Sequence, residues 1–176
     1  EGAEILQTVT VDGSGDFSLF FNNAEDTRSV TSVDASEFDG DFTLQNLDGG
    51  ALLTVLGATG DNDIEIDEID TDSVVKITTQ GGFDFIRLDT DGNNGASVTV
   101  DTKDGGATIN MLESDDSDNT TVNFTYGLGA NKADIDIGAN SSVTINSAGA
   151  IEVDLDAFND PDGAAATGAL TANIAS

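Results

Sequence analysis

The sequence predicts an all-β fold, a parallel β-solenoid in which short strands and tight turns alternate along the chain. Apolar residues recur as apolar-x-apolar pairs about 11 residues apart. Turns rich in Gly, Asp and Asn separate these pairs, and the pairs themselves are rich in Val and Ile, which favour strands. A regular period with turns of variable length is typical of repeat architectures.

Eleven apolar pairs divide the chain between Phe42 and Leu155 into strand-turn units. The first four steps between pairs are 11 residues each, and the later steps are 12, 11, 13, 13, 8 and 8 residues. Residues at i and i+2 lie on the same face of a strand, so each pair marks a strand with one buried face. The pairs are Phe42/Leu44, Leu53/Val55, Ile64/Ile66, Val75/Ile77, Ile86/Leu88, Val98/Val100, Ile109/Met111, Val122/Phe124, Ile135/Ile137, Val143/Ile145 and Ile151/Val153.

An 11-residue apolar period also occurs in right-handed helical supercoils. Glycine-containing turns such as Asp48–Gly50 and Gly60–Asn62 exclude that alternative, because they would break a helix. If each solenoid turn contains two units, it has roughly 22 residues and two faces. A turn of three units, with roughly 33 residues and three faces, is the alternative. The 13-residue steps predict insertions near Asp115–Asp118 and Gly127–Lys132 that bulge from one edge.

The chain divides into three segments that we expect to form one continuous domain. Residues 1–41 form an N-terminal cap or assembly segment, in which Ile5–Val11 and Phe17–Phe21 flank the turn Asp12–Asp16 and predict a β-hairpin. Residues 42–155 are the solenoid repeats. Residues 156–176 form a tail that includes a predicted final strand at Ala169–Ile174.

Composition restricts the function. The chain has 176 residues, no Cys, no His and a formal charge of −29, and 26 of its 34 acidic residues are Asp. Its five basic residues are scattered, so we expect no binding to nucleic acid. No apolar run is long enough to cross a bilayer, so we expect no membrane insertion.

The same composition argues against an enzyme. Without His or Cys, nucleophilic catalysis assisted by imidazole or by a thiol is excluded. Paired carboxylates are the machinery of glycoside hydrolysis, but such pairs are inevitable among 34 acidic residues. Ice binding would need a flat array of Thr, whereas the repeat positions are occupied by Thr54, Lys76, Arg87, Thr99, Asn110 and Asp136.

Two segments near the start of the repeats carry recognisable motifs. Val30–Leu44 contains Thr-Ser-Val-Asp-Ala-Ser followed by Gly-Asp-Phe-Thr-Leu, and Gly57–Glu65 reads Gly-Ala-Thr-Gly-Asp-Asn-Asp-Ile-Glu. These segments resemble bacterial surface-layer and repeats-in-toxin proteins, and the second is similar to the calcium nonapeptide G-G-x-G-x-D-x-U-x. Ala58 and Asn62 depart from that pattern, Thr79–Ile86 keeps less of it, and the period is 11 rather than 9. The resemblance implies an extracellular β-solenoid that binds Ca²⁺.

Turns dense in Asp and Asn oxygen atoms suit calcium, which takes six to eight oxygen ligands. Such turns also occur simply because Asp favours turns, and adaptation to high salt is a further source of acidity. The candidate metal ligands are Asp61, Asp63, Asp84, Asp89, Asp91, Asn93, Asp115, Asp116, Asp118, Asp160 and Asp162.

From these features we expect a secreted structural protein that assembles, with calcium, into a cell-surface layer, matrix or filament. The partner is a second copy, which pairs through the terminal strands Ile5–Val11, Phe17–Phe21 and Ala169–Ile174, since these segments lack the charges and Pro that guard exposed edges. A calcium-binding adhesin or stalk module of a larger surface protein is the alternative, and a cell-surface polysaccharide is a further candidate partner.

Overall fold

A computed structural model describes residues 6–22, 28–90, 95–113, 119–138, 141–157 and 169–174. Fifteen β-strands and no helix occur in these ranges. Consequently, the described part of the chain has no helical segment that could cross a membrane. The strands are β1 Thr8–Ser14, β2 Phe17–Phe20, β3 Ser32–Asp39, β4 Phe42–Gly49, β5 Leu52–Leu56, β6 Asn62–Ile69, β7 Val74–Thr79, β8 Phe83–Thr90, β9 Ser97–Thr102, β10 Gly106–Glu113, β11 Thr121–Tyr126, β12 Asn131–Ile137, β13 Ser142–Ser147, β14 Ile151–Ala157 and β15 Ala169–Ile174.

The strands form two parallel sheets that the chain visits alternately. The eight-stranded sheet has the order β1-β3-β5-β7-β9-β11-β13-β15, and the seven-stranded sheet has the order β14-β12-β10-β8-β6-β4-β2. Successive strands of one sheet are one solenoid turn apart, and a turn takes roughly 23 residues. The predicted β-solenoid is therefore confirmed, and its turn has two faces.

The core lies between the two sheets and consists of ladders of like residues. Ile64, Ile86 and Ile109 occupy one ladder of the seven-stranded sheet, and each has no exposed surface. Val75 and Val98 form a ladder of the eight-stranded sheet and are equally buried. Buried and more exposed residues alternate along strands such as β5, β7, β9 and β13, which is the pattern that the apolar pairs predicted.

The same register fixes the rows of side chains that face outward from the eight-stranded sheet. The middle row consists of Thr8, Ser32, Thr54, Lys76, Thr99, Asn123, Thr144 and Thr171. A second row consists of Thr10, Asp34, Leu56, Thr78, Asp101, Thr125, Asn146 and Asn173.

The predicted N-terminal hairpin is wrong. Thr8–Ser14 pairs in parallel with β3, whereas Phe17–Phe20 pairs in parallel with β4 in the other sheet. Gly13 near the end of β1 and Gly15 in the turn that follows both have positive φ, and this turn passes the chain from one sheet to the other. A five-residue turn between two apolar segments is common to hairpins and to solenoid corners, so local sequence did not separate the two.

The predicted insertion at Gly127–Lys132 is also wrong. Ala133 stands opposite Ile109 and Val153, so the corner between β11 and β12 is four residues long and comparable to its neighbours. The 13-residue step arose because Ile135 pairs with Met111, two positions further along the strand. The other predicted insertion, Asp115–Asp118, lies outside the described residues.

Truncation of a core ladder tests this packing. We expect Ile86→Ala to lower the free energy of unfolding by about 2–5 kcal/mol, because it leaves a cavity between two stacked neighbours. Leu112→Ala is the control, since Leu112 is 57% exposed on the outer side of β10. Urea titration followed by circular dichroism measures both changes, and equal losses for the two variants would contradict the assigned register.

Candidate metal sites at the corners

Two kinds of corner connect the sheets. The glycine corner leads from each odd-numbered strand to the next even-numbered strand, and it takes only two to five residues. The variable corner leads from each even-numbered strand back to the eight-stranded sheet. Most predicted ligands follow even-numbered strands: Asp91 and Asn93 follow β8, Asp115, Asp116 and Asp118 follow β10, and Asp160 and Asp162 follow β14. These seven residues lie outside the described ranges.

At the glycine corner, a column of glycines runs along the solenoid. A Cβ atom added to Gly60, Gly82 or Gly105 would collide with the carbonyl group of the glycine one turn earlier. Gly82 and Gly105 also have positive φ, of 76° and 103°. The glycines therefore let consecutive turns stack at strand spacing. The column consists of Gly15, Gly40, Gly60, Gly82, Gly105, Gly129 and Gly149.

Asp61 follows one of these glycines and belongs to a short carboxylate ladder. The Asp61 N–H donates to Asp41 Oδ1 at 3.0 Å, and the Phe83 N–H donates to Asp61 Oδ1 at 2.7 Å. Each carboxylate thus caps a backbone donor of the following turn. Asp41 and Asp61 are exposed residues, so a cation can reach their carboxylates.

Asp84 points into the interior. It has no exposed surface, and its Oδ1 accepts hydrogen bonds from the backbone N–H of Asn62 at 3.2 Å and from Asn62 Nδ2 at 2.7 Å. The Thr79 hydroxyl donates to Oδ2. These three donors give Asp84 a structural role at the corner, separate from the exposed carboxylate of Asp61.

Asn62 completes this buried polar group. Its Oδ1 accepts from the Ala58 N–H at 2.7 Å, and its Nδ2 donates to the Ala58 carbonyl at 3.2 Å, so the side chain closes the five-residue corner internally. Asn131 repeats the arrangement three turns further on, where its Nδ2 donates to the Gly127 carbonyl at 3.1 Å. The departure of Asn62 from the calcium nonapeptide pattern thus has a structural cause.

The remaining described candidates are separate from one another. Asp63 faces outward from β6 between Thr43 and Phe85, and its Oδ1 is buried without a hydrogen-bond partner in the described structure. Asp89 is exposed on the outer side of β8. In the ranges that the structure describes, no three His, Cys, Asp or Glu side chains form a group that could hold a metal ion.

A cluster of charges around Arg28 was not predicted. Arg28 lies 3.6 Å from Asp48, 2.7 Å from Glu68 and 3.3 Å from Asp70. Asp48 is fully buried, whereas the other two acids are partly exposed. Sequence patterns place Asp48 in a glycine-rich turn, but it lies within β4, and Arg28 comes from a different turn of the solenoid.

Burial raises the pKa of Asp48 above its usual value, and the charge of Glu68 acts in the same direction. Arg28 opposes both effects and favours the ionised carboxylate. One guanidinium group therefore compensates a buried carboxylate and two neighbouring acids. At this position the guanidinium group of Arg28 neutralises clustered carboxylates, so the cluster needs no bound cation.

The buried Asp84 predicts a pH dependence. Burial raises the pKa of Asp84, while the hydrogen bonds from Thr79 and Asn62 lower it, with a net increase over the usual value of 3.8. Because the folded-state pKa exceeds the unfolded value, the stabilisation is complete at low pH and is lost as the pH rises through the folded-state pKa. We expect the stability of the wild type to fall relative to Asp84→Asn from about pH 4 upward.

Urea titrations of both proteins between pH 4 and pH 8 measure this difference. Asp84→Ala is the companion variant, since it leaves the buried Asn62 and Thr79 donors unpaired and should cost about 1–3 kcal/mol at every pH. Parallel pH profiles for the wild type and Asp84→Asn would show that Asp84 does not titrate as its burial indicates.

The Arg28 cluster predicts a second effect. We expect Arg28→Met to lower the urea midpoint more at pH 7 than at pH 4, because the uncompensated Asp48 carboxylate is protonated at low pH. Lys132→Met removes the same charge from a pair with Asp134 that is exposed on both sides, and it should have little effect. The prediction fails if both variants lose the same stability at pH 7.

Comparisons with known proteins identify no relative: neither a protein-family model, nor a curated protein, nor a solved structure matches this chain. The resemblance of Val30–Ile86 to surface-layer and repeats-in-toxin proteins therefore stays a prediction. Inference about function has to start from the chemistry of the corners, the ends and the faces of the solenoid.

Proposed function

We propose that this protein is a secreted structural protein that assembles with calcium into a cell-surface layer or filament. The observation that carries the proposal is the incomplete burial of apolar side chains at the two ends of the described solenoid. In the middle turns the inward residues are fully buried, whereas at the first turn Val9, Leu19 and Phe21 are only partly covered, and at the last turn so are Ile151, Val153 and Leu155.

The two ends fit one another as strand edges. β1 and β15 are the edge strands of the eight-stranded sheet, and all its strands run in the same direction. A second copy stacked head to tail would continue this parallel sheet through β15 and β1. Such a contact joins two different surfaces, so it propagates as an open filament.

The unequal strand numbers add a feature to this contact. Stacking through β15 and β1 leaves one strand position in the seven-stranded sheet, between β14 of one copy and β2 of the next. The aromatic side chains of β2 lie beside this position, and Phe17 and Phe20 are 38% and 53% exposed. An extended segment added there would cover them and complete the second sheet.

Calcium enters the proposal through charge. Each copy has a formal charge of −29, so stacked copies repel each other unless cations bind between their acidic groups. The exposed carboxylates of Asp41 and Asp61 at the glycine corner, together with Asp89, supply oxygen atoms of the kind that calcium prefers.

The principal rival function is a calcium-binding stalk or adhesin module, in which the same ends contact neighbouring domains of one chain. The two functions differ in what the isolated chain does in calcium. A structural subunit forms particles whose size increases with concentration, and a stalk module stays a monomer.

A charge placed at one end tests the stacking. We expect Val9→Asp to abolish filaments, because it puts a carboxylate between the apolar ends of two stacked copies. Thr10→Asp is the matched control: it adds the same charge to the same strand, but on the exposed outer side, so filaments should persist. Electron microscopy and light scattering measure assembly, and circular dichroism verifies that both variants fold.

Removal of residues 1–22 is the stronger version of this test, since it deletes both β1 and β2. Assembly of Val9→Asp or of the truncated chain at the wild-type rate would rule out stacking through β1.

Calcium removal tests the second half of the proposal. We expect a chelator to lower the melting temperature and to reduce particle size, because unbalanced carboxylates then repel one another. Magnesium at equal ionic strength should restore the melting temperature and the particle size less than calcium does, since it binds poorly to sites made only of protein carboxylates. A melting curve and particle size that do not respond to the chelator would exclude a role for calcium.

A further inference from the structure

Two complete outward rows of the eight-stranded sheet, which we name the neutral face, carry little charge for so acidic a molecule. The exposed acids Asp12, Glu37 and Asp39 lie beyond these rows, toward the ends of β1 and β3. The two rows, those through Thr99 and Asp101, consist mainly of Ser, Thr and Asn. The only acids in these rows are Asp34 and Asp101, and the only cation is Lys76.

The outer side of the seven-stranded sheet has the opposite character. Four of its strands carry an outward acid with a described side chain: Glu65 on β6, Asp89 on β8, Asp134 on β12 and Asp154 on β14. Arg87 and Lys132 lie on the same side, where they pair with Glu65 and Asp134, so acids still outnumber cations there. Two copies that approached through this acidic face would bring like charges together. The neutral face is the side on which two copies can meet without that repulsion.

The second observation is that Lys76 lacks an ion pair in the described structure. The other four cations each lie within 4 Å of a carboxylate: Arg28 in its cluster, Arg87 with Glu65, Lys103 with Asp101 and Lys132 with Asp134. Lys76 makes no ion pair with any described residue, although it is exposed near the centre of the neutral face, on the fourth of eight strands.

We propose that two copies of this chain pair through their neutral faces around a two-fold axis that runs parallel to the strands. With the two sheets in full overlap, this axis places the fourth strand of one copy, β7, over the fifth strand of the other, β9. Lys76 of each copy then lies over the strand that carries Asp101 of the second copy. Asp101 already pairs with Lys103 of its own copy, so in the dimer its carboxylate is shared between two lysines. The two ion pairs form symmetrically, as an isologous contact requires.

The remaining side chains of the two rows suit such a contact. Hydroxyl and amide groups donate and accept hydrogen bonds, and the small side chains let sheets approach to about 10 Å. The exposed Leu52 adds apolar area beside the middle row. Aromatic platforms, on which sugar rings commonly stack, do not occur at the described positions of these rows, so a second copy is favoured over a polysaccharide.

This contact is independent of the proposed head-to-tail stacking. It joins the sides of two solenoids, whereas the proposed filament joins their ends. The test is therefore made in the Val9→Asp background, in which lateral pairs persist even though end-to-end growth is blocked.

Sedimentation velocity over a range of concentrations measures the pairing. We expect a monomer–dimer equilibrium that Lys76→Glu weakens by about tenfold or more, because the substitution replaces an attraction with a repulsion. The charge swap Lys76→Glu with Asp101→Lys should restore dimers. Lys132→Glu changes the net charge equally on the acidic face and should leave the dissociation constant unchanged.

Three outcomes would overturn the proposal. The first is a monomer at every concentration, and the second is equal weakening by Lys76→Glu and Lys132→Glu, which would reflect net charge alone. The third is no restoration by the charge swap in a protein with unchanged circular dichroism. In the first case, Lys76-dependent binding of an uncharged surface polysaccharide would identify the neutral face as a glycan site instead.

Discussion

Consecutive turns of this solenoid are held at the spacing of hydrogen-bonded parallel strands, about 4.8 Å, and most features of the molecule follow from that distance. At the glycine corner each turn rests directly on the one before it, and a Cβ at Gly60, Gly82 or Gly105 would displace the chain one turn away. Inside the sheets the same spacing brings like residues into ladders and excludes water between them. Where a ladder contains a polar residue, its neighbours must supply hydrogen bonds, as Asn62 and Thr79 do for Asp84.

The spacing also acts on charge. Stacking turns with so many Asp residues brings carboxylates together, and the structure shows three different ways of accommodating them. Asp41 and Asp61 accept backbone N–H groups of the following turn. Asp84 is buried with three hydrogen-bond donors. Arg28 compensates the buried Asp48 as well as the neighbouring Glu68 and Asp70. None of these arrangements requires a metal ion, so calcium in our proposal acts on the exposed acids and on contacts between copies.

Separation of charge between the two outer faces connects the fold to assembly. A two-faced solenoid assigns alternate units of the sequence to opposite sides of the molecule, so each side acquires its own chemistry. Two acidic faces repel each other, and in our proposals the neutral face and the two ends are the surfaces through which copies meet. Contacts at the ends alone give a filament, and a two-fold contact at one side joins two such filaments into a pair.

Sequence by itself determined the strand positions and the core, because apolar residues at i and i+2 must lie on one face of a strand, and Gly-rich turns exclude helices. Tertiary structure decided everything that depends on which residues one turn apart become neighbours. Among the central residues of the apolar pairs, Thr54, Lys76 and Thr99 lie on one face of the solenoid. Arg87 and Asn110 lie on the other face, so one series of repeat positions in the sequence supplies two different surfaces. The pairing of Arg28 with Asp48 and that of Asn62 with Asp84 were equally invisible, since the partners are 20 and 22 residues apart. Alternation with Ile86 and Leu88 places Asp84 on the inward side of β8, but only the stacking of turns brings Asn62 to it as a hydrogen-bond donor.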